Sequence, residues 1–303
     1  MYIYIKELKK DEELAQNIDM PIFLKKIIIK FIKKFNIITL KKIDEKHTLY
    51  IIPKVKKIKT IQKIINKKPK EKIILSKELK KYEKDLGLPK EKKPIIYYIY
   101  EILKYSIEKA GKKVELQNIH ILADNYNKQN IEIITYLLDK VKTLNIVTNS
   151  TQKYNILENK IYNEQGILIT VANNKNKSLK RANIIINLDF KSEKLQEYTI
   201  NRNAILINCT NEKVEIKYFQ GIIINDINIK IENKPNHEEL CNEFNEEDIY
   251  TSFETISSKY IENIQKIEEN KIEITNIIGN NGIINTKELL NIQKELDKLQ
   301  KLN

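Results

Sequence analysis

Apolar and polar positions follow two different rhythms along this chain. Residues 2–5, Tyr-Ile-Tyr-Ile, predict a first strand, and residues 48–52 and 72–75 predict two more, the latter behind a helix at 58–65. Between them, residues 21–35 place Leu24, Ile27, Ile28, Phe31, Ile32 and Phe35 at helical spacing. From 119 to 208 the rhythm changes. Short, continuous apolar runs at 119–122, 144–148, 167–171, 184–188 and 204–208 are interrupted by helical patterns at 130–142 and 154–164. The first of these helices lines up Ile131, Ile134, Leu137, Leu138 and Val141. Strands that are apolar throughout, alternating with amphipathic helices, predict a parallel sheet covered on both faces. Residues 221–231 predict a closing hairpin. From Pro235 onward the spacing is helical, with Ile249, Tyr250, Phe253, Ile256, Tyr260 and Ile264 recurring. Asn285 and Glu288 have the spacing of a capping box that opens a last helix.

Punctuation divides the chain. Leu88-Pro89-Lys90-Glu91-Lys92-Lys93-Pro94 reads as a linker, and Pro94 opens a long helix that reaches Ala110 and ends at Gly111.

The most informative stretch follows the strand at 119–122: Ala123-Asp124-Asn125-Tyr126-Asn127-Lys128-Gln129-Asn130, leading into a helix. In a dinucleotide-binding βαβ unit a G-x-G-x-x-G turn stands here, because only glycine lets backbone approach a pyrophosphate so closely. No glycine lies between Lys112 and Gln165. Two readings stay open. The amides at the helix start can still bind an anion or nucleotide. Alternatively Asp124 or Asn125 caps a helix in a fold that has lost its ligand. The second is preferred, since a carboxylate at Asp124 repels a phosphate.

Two neighbouring stretches carry a family resemblance. Leu144-Asn145-Ile146-Val147-Thr148-Asn149-Ser150-Thr151 resembles the second strand of the shikimate dehydrogenases and related amino-acid-dehydrogenase-like domains, which ends in Asn-Arg-Thr. Arg181-Ala182-Asn183-Ile184-Ile185-Ile186-Asn187 resembles their A-D-I-I-I-N-A strand beside the nicotinamide. The resemblance covers about ninety residues. It implies a Rossmann-like NAD(P)-binding domain for roughly residues 115–210, with Asp124, Asn125, Asn149, Ser150, Thr151 and Asn187 along the cofactor crevice. Departures limit it. Ser150 stands where the family's arginine meets a 2′-phosphate, so NADP preference is unsupported; Lys153 is a solvated first-turn residue. NAD or NADP remains possible without support from a glycine motif. Residues 1–93 hold no counterpart of the family's catalytic lysine and aspartate motifs, so no catalytic residue carries over.

Charge adds one feature. The net charge is +13, and lysine outnumbers arginine 52 to 2, as codon drift in an AT-rich genome produces. Drift acts everywhere, yet residues 1–100 carry +15, residues 101–200 carry +4 and residues 201–303 carry −6. The basic first third is therefore a feature of this chain, with the acidic last third as its complement. The stretch from Lys54 to Lys93 holds sixteen lysines, and Tyr97, Tyr98, Tyr100 and Tyr105 follow closely. Such a segment can hold single-stranded nucleic acid or another anionic partner, although arginine and any known nucleic-acid motif are missing. In residues 21–35, Lys25, Lys26, Lys30, Lys33 and Lys34 lie largely opposite the apolar positions. That is the pattern of a helix on an anionic membrane and equally of a core helix with a lysine-rich outer side. Strand signals on either side favour the core helix.

Remaining chemistry is sparse. His237 and Cys241 lie four apart on one helical face, a metal-ligand spacing, but a helix start after Pro235 is the simpler reading and no metal is expected. Two cysteines make no disulfide framework, and no apolar run is long enough to span a bilayer, so a cytoplasmic protein is expected. No nucleophile elbow, Walker loop or zincin motif is present.

The expected architecture is α/β. It comprises a basic N-terminal α/β domain (1–93), a linking helix with a Rossmann-like doubly wound parallel sheet (94–236), and C-terminal helices packing back on the first domain (237–303). The expected role is a non-catalytic binding or scaffold protein. The alternatives are an NAD(P)-dependent oxidoreductase with an atypical nucleotide loop, and a sequence-tolerant nucleic-acid binder acting through residues 54–93.

Overall fold

The computed structural model describes residues 1–8, 21, 23, 24, 26, 27, 30, 31, 38–52, 57–68, 72–88, 95–109, 111–210, 212–232, 240, 242–245, 248, 249, 260–269 and 271–301. The chain forms two compact units, residues 1–91 with 234–255, and residues 92–233 with 256–303.

In the first unit, β1 (Tyr2–Glu7), β2 (Thr39–Lys42), β3 (His47–Ile52), helix α1 (Lys57–Lys67) and β4 (Lys72–Leu75) form a sheet in the order β2-β3-β1-β4. The central β1 runs parallel to β3 and β4, whereas β2 is an antiparallel edge that the sequence pattern did not reveal. Both faces are buried. On one, Ile3, Ile5, Ile52 and Leu75 pack with Ile61 and Ile64 of α1. On the other, Tyr4, Leu49 and Ile51 pack with Leu240, Phe244 and Ile249 from the returning segment. Tyr4 and Phe244 meet edge to face at 4.9 Å. Lys57 pairs with Glu7 at 2.5 Å.

The helix at 21–35 departs from expectation. Phe23, Leu24, Lys26, Ile27, Lys30 and Phe31 are helical, but Phe23 is 73%, Leu24 44%, Ile27 37% and Phe31 56% exposed. For Leu24, Ile27 and Phe31 the core-facing assignment is corrected; Ile28, Ile32 and Phe35 lie outside the described residues.

The second unit begins with a short 3-10 turn and α2 (Ile99–Glu108), ended by Gly111 at φ +72°. Then follow β5 (Asn118–Leu122), α3 (Lys128–Leu138), β6 (Thr143–Val147), α4 (Thr151–Gln165), β7 (Thr170–Ala172), β8 (Ile184–Asn187), the single-turn α5 (Ser192–Leu195), β9 (Ile205–Asn208) and β10 (Ile222–Ile224). The six strands are all parallel, in the order β10-β9-β8-β5-β6-β7. Counted from β5, this is the 3-2-1-4-5-6 order of doubly wound dinucleotide-binding domains. Every residue of β8, β9 and β10 is buried, which explains why these strands read as isoleucine and leucine with an asparagine only at the ends of β8 and β9. On one face Leu122, Val147, Ile185 and Leu206 pack with Phe190, Leu195 and Tyr198. Gly221 lets β10 lie against β9, because a Cβ there would stand 2.0 Å from the Ala204 carbonyl oxygen.

Residues 221–231 do not form a hairpin. β10 joins the parallel sheet, and β11 (Asp226–Ile231) turns into a second, antiparallel sheet with β12 (Ile272–Gly279) and β13 (Gly282–Ile284). The region beyond Pro235 is therefore not wholly helical. It contains α6 (Tyr260–Glu269), the β12–β13 hairpin and α7 (Thr286–Lys301). The capping box at the start of α7 is present, with Glu288 N–H donating to Asn285 Oδ1 at 2.9 Å and Asn285 N–H to Glu288 Oε2 at 3.0 Å. α6 belongs with the second unit, where the Tyr260 N–H donates to Glu132 Oε2 at 2.7 Å. Among the described residues no helix is long and apolar enough to cross a membrane.

Candidate functional site

In a doubly wound sheet the ligand crevice lies beyond the carboxyl ends of the strands where the strand order reverses. Here that point lies between β5 and β8. The loop after β5 and the loop after β8 face each other across it, and the sequence has placed polar residues in both.

The loop from Ala123 to Asn130 presents its amides to a single carboxylate. Asp189, two residues past β8, accepts from the Asp124 N–H at 2.7 Å and the Asn125 N–H at 2.8 Å, one on each oxygen. The Asn130 side-chain amide adds a third donor at 3.1 Å. Burial pushes the Asp189 carboxyl above its usual range, against the pull of the donors from Asn125 and Asn130. Backbone amides at such a loop are anion ligands, and in this protein the anion is internal.

The loop is braced from both sides. The Asn130 side chain also donates to the Asn125 carbonyl at 2.8 Å, and the Tyr154 hydroxyl donates to the same carbonyl at 2.9 Å. Burial pushes that hydroxyl up to about 12, so it stays a donor. The cap of α3 is Asn127, whose side chain accepts from the Asn130 N–H at 2.8 Å. Neither Asp124 nor Asn125 caps the helix; their amides serve Asp189 instead.

Asp124 points the other way. Its carboxylate accepts from the Asn149 N–H at 2.8 Å and is paired with the Lys194 ammonium. The Ser150 hydroxyl donates to the Asp124 carbonyl at 2.8 Å. Lys194 rises from α5 and lies 3.8 Å from the centre of the Phe190 ring. Burial pulls this ammonium down to about 8, with Glu197 acting in the opposite sense. The crevice floor thus carries two carboxylates and one cation.

Asn187 is fully buried and turned away from the crevice. Its side-chain oxygen accepts from the Phe190 N–H at 2.8 Å, and its amide donates to the Phe190 carbonyl at 2.9 Å and to Asn208 at 3.3 Å. Asn208 ends β9 and donates to the Asn225 side chain at 2.9 Å; Asn225 follows β10 and donates to Asn280 at 2.6 Å. Four asparagines therefore form a chain of amides along the ends of β8, β9 and β10 and the β12–β13 turn. Its physical use is to satisfy carbonyl and amide groups at strand ends that would otherwise be buried unpaired.

Of the six residues read from the sequence, the structure brings Asp124, Asn125, Asn149 and Ser150 into one network. Thr151 is a half-buried first residue of α4, and Asn187 joins the separate asparagine chain. Sequence reasoning missed Asp189, Asn130, Tyr154 and Lys194. No local run marks Asp189, which stands between Leu188 and Phe190 just past β8.

Other candidate chemistry resolves differently. The tyrosines that follow the basic stretch are packed within the second unit. Tyr97 stacks on Tyr260 with centroids 6.1 Å apart, Tyr100 meets Tyr136 edge to face at 6.0 Å, and Tyr105 donates to the Thr275 carbonyl at 3.0 Å. Within the basic stretch, Lys57 pairs with Glu7, and Lys80 with Asp248 at 2.7 Å. His237 and Cys241 lie outside the described residues, and among the described residues no cluster of three or more histidine, cysteine, aspartate and glutamate side chains could hold a metal.

No family model and no curated protein matches this chain. Among solved structures it is similar to L-tryptophan dehydrogenase from Nostoc punctiforme, at 9% identity and a TM-score of 0.33, over 99% of this chain and 88% of that one.

Proposed function

We propose that the protein is a non-catalytic binding or scaffold protein built on a dinucleotide-binding frame whose phosphate loop is closed by its own Asp189. The single observation that carries this reading is the Asp189 carboxylate on the amides of Asp124 and Asn125. A dinucleotide diphosphate would have to displace that carboxylate from three donors and then sit beside Asp124 as well. Without glycine, the loop also brings side chains to where backbone and phosphate need to touch.

A second reading is favoured by a different observation. The 3-2-1-4-5-6 strand order is that of dinucleotide-binding domains, and it supports an NAD(P)-dependent oxidoreductase with an atypical loop. In that reading Asp189 swings away on binding, and Asn125, Asn149, Ser150 and Thr151 line the opened crevice.

Thermal unfolding with NAD, NADH, NADP and NADPH at millimolar concentration separates the two. A ligand at a hundred times its dissociation constant adds about 2.7 kcal/mol, a shift of roughly 4 °C for a chain of this size. The first reading expects no shift with any of the four. A clear shift with one of them overturns it and puts the oxidoreductase forward.

A further inference from the structure

Helix α1 of the first unit carries a row of cations that the fold does not use. Its inner face is spent on the sheet, where Ile61 and Ile64 are buried with Ile3, Ile5 and Leu75. Its outer face shows Lys59, Gln62, Lys63, Asn66 and Lys67, all exposed. Lys59, Lys63 and Lys67 stand four residues apart, so the row climbs about 6 Å per step along the helix. None of the three has an ion-pair partner among the described residues. Like charges at this spacing destabilise a helix. In α2, α3 and α4 a lysine instead faces a carboxylate one turn away: Lys104 and Glu101 at 3.9 Å, Lys128 and Glu132 at 3.8 Å, Lys160 and Glu164 at 4.0 Å. Codon drift supplies lysine to all four helices, so the difference lies in the missing acids. No aspartate or glutamate occurs from Lys46 to Lys70, a stretch that holds nine lysines.

We propose that this face of α1 is a docking surface for the phosphate backbone of duplex nucleic acid, held without regard to sequence. Three ammonium groups spread over about 12 Å call for a partner with regularly repeated anions. A duplex carries about one negative charge per 1.7 Å of its axis. The outer face of α1 holds no apolar side chain, so a membrane would gain no hydrocarbon contact from it. It holds no aromatic ring either, and Tyr97, Tyr100 and Tyr105 are engaged within the second unit. The unpaired bases of a single strand therefore find no stacking platform here. In a duplex the bases pair with each other and the lysines meet phosphate alone, a contact that carries no sequence information. The net +15 of residues 1–100 attracts the same partner from a distance. The crevice of the second unit takes no part in this binding.

The test is fluorescence anisotropy of a labelled DNA duplex of about twenty base pairs, titrated with the full-length protein between about 50 and 200 mM salt. Binding is expected at low salt, with each phosphate-bound lysine adding about −0.9 to the slope of log K against log salt. The variant Lys59→Gln, Lys63→Gln, Lys67→Gln should bind on the order of tenfold more weakly or worse and lose about 2.7 of that slope. It should keep or raise the wild-type thermal midpoint, because it removes an exposed row of like charges. The variant Lys59→Arg, Lys63→Arg, Lys67→Arg should bind as the wild type does. The variant Lys142→Gln, Lys177→Gln, Lys180→Gln removes the same charge from exposed positions of the second unit and should bind within about twofold of the wild type. Absence of duplex binding at low salt overturns the proposal. So does wild-type binding by the first glutamine variant, or an equal loss in both glutamine variants, which makes the attraction one of net charge. Tighter binding of a single strand of the same length assigns the contact to base stacking elsewhere and overturns it too. Polyglutamate that displaces the duplex at equal charge concentration gives the row to an acidic protein, with the same consequence.

Discussion

Asp189 and Asp124 are joined through backbone rather than through charge: the carboxylate of Asp189 lies 2.7 Å from the amide nitrogen of Asp124, while the carboxylate of Asp124 turns toward Asn149 and Lys194. The loop between them holds an anion as a nucleotide loop does, but the anion comes from the next strand of the sheet. Removing it should therefore have two separable effects. Asp189→Ala leaves two loop amides and the Asn130 side chain without their acceptor, at a cost of roughly 2–3 kcal/mol. It also uncovers an anion site, so inorganic pyrophosphate should raise the thermal midpoint of the variant and not that of the wild type. Denaturant titration reads the first effect and thermal unfolding the second. A variant that loses stability but gains nothing from pyrophosphate would mean the loop is a brace and not a masked phosphate site.

The asparagine chain makes a sharper structural prediction. Asn187 is buried and its amide completes a turn onto Phe190. Asn187→Leu keeps the volume near the original but strands the Phe190 N–H and the Phe190 carbonyl in a dry site. A loss of about 2–4 kcal/mol is expected, since unpaired buried polar groups carry their full desolvation penalty. Asn149→Ala, whose side chain is exposed, should change stability by no more than a few tenths of that. Urea unfolding of the two variants side by side checks the contrast, and comparable losses would refute it.

How much of this was readable beforehand depends on the range of the interaction. The parallel sheet was legible because burial on both faces forces continuous apolar runs, and Ile184–Asn187 and Ile205–Asn208 are buried throughout. The capping box was legible because both partners lie within four residues. The β12–β13 hairpin was hidden by its neighbours: isoleucines before and after it continue a helical spacing, although Asn280-Asn281-Gly282 carries the turn chemistry, with Gly282 at φ +116°. Asp189 was illegible for another reason. Its donors at Asp124 and Asn125 lie more than sixty residues back, and only the adjacency of β5 and β8 brings them together. The six crevice residues were chosen by strand-end position, which locates a side chain but does not say which way it turns.

The first unit's returning segment gives a test of how that unit is held together. Phe244 is fully buried against Tyr4, and Leu240 and Ile249 share the same cluster. Phe244→Ala should cost about 3–5 kcal/mol, the usual range for removing a buried ring. Because the cluster lies on the first sheet, amide exchange should accelerate along β1 and β3 while β5, β8 and β9 stay protected. Uniform acceleration across both sheets would show instead that the two units unfold as one.

His120 supplies a prediction in pH. It lies mid-strand in β5, its Nδ1 has no hydrogen-bond partner, and burial lowers its pKa from 6.5 to about 4. Between those values the unfolded chain holds a proton on this ring that the folded chain does not. Stability must therefore rise with pH across that window, reach its full value above about 6.5, and be lost as pH falls toward 4. At a pH of about 5 the loss from this one ring amounts to roughly 2 kcal/mol. His120→Leu removes the titrating group without orphaning a partner for Nδ1. The variant should match or exceed the wild type near neutrality and exceed it clearly in acid. Urea midpoints for both proteins near neutrality and at a pH of about 5 measure the difference directly. If the two lose stability in parallel, the ring keeps its proton in the folded state and the acid sensitivity belongs to the carboxylates instead.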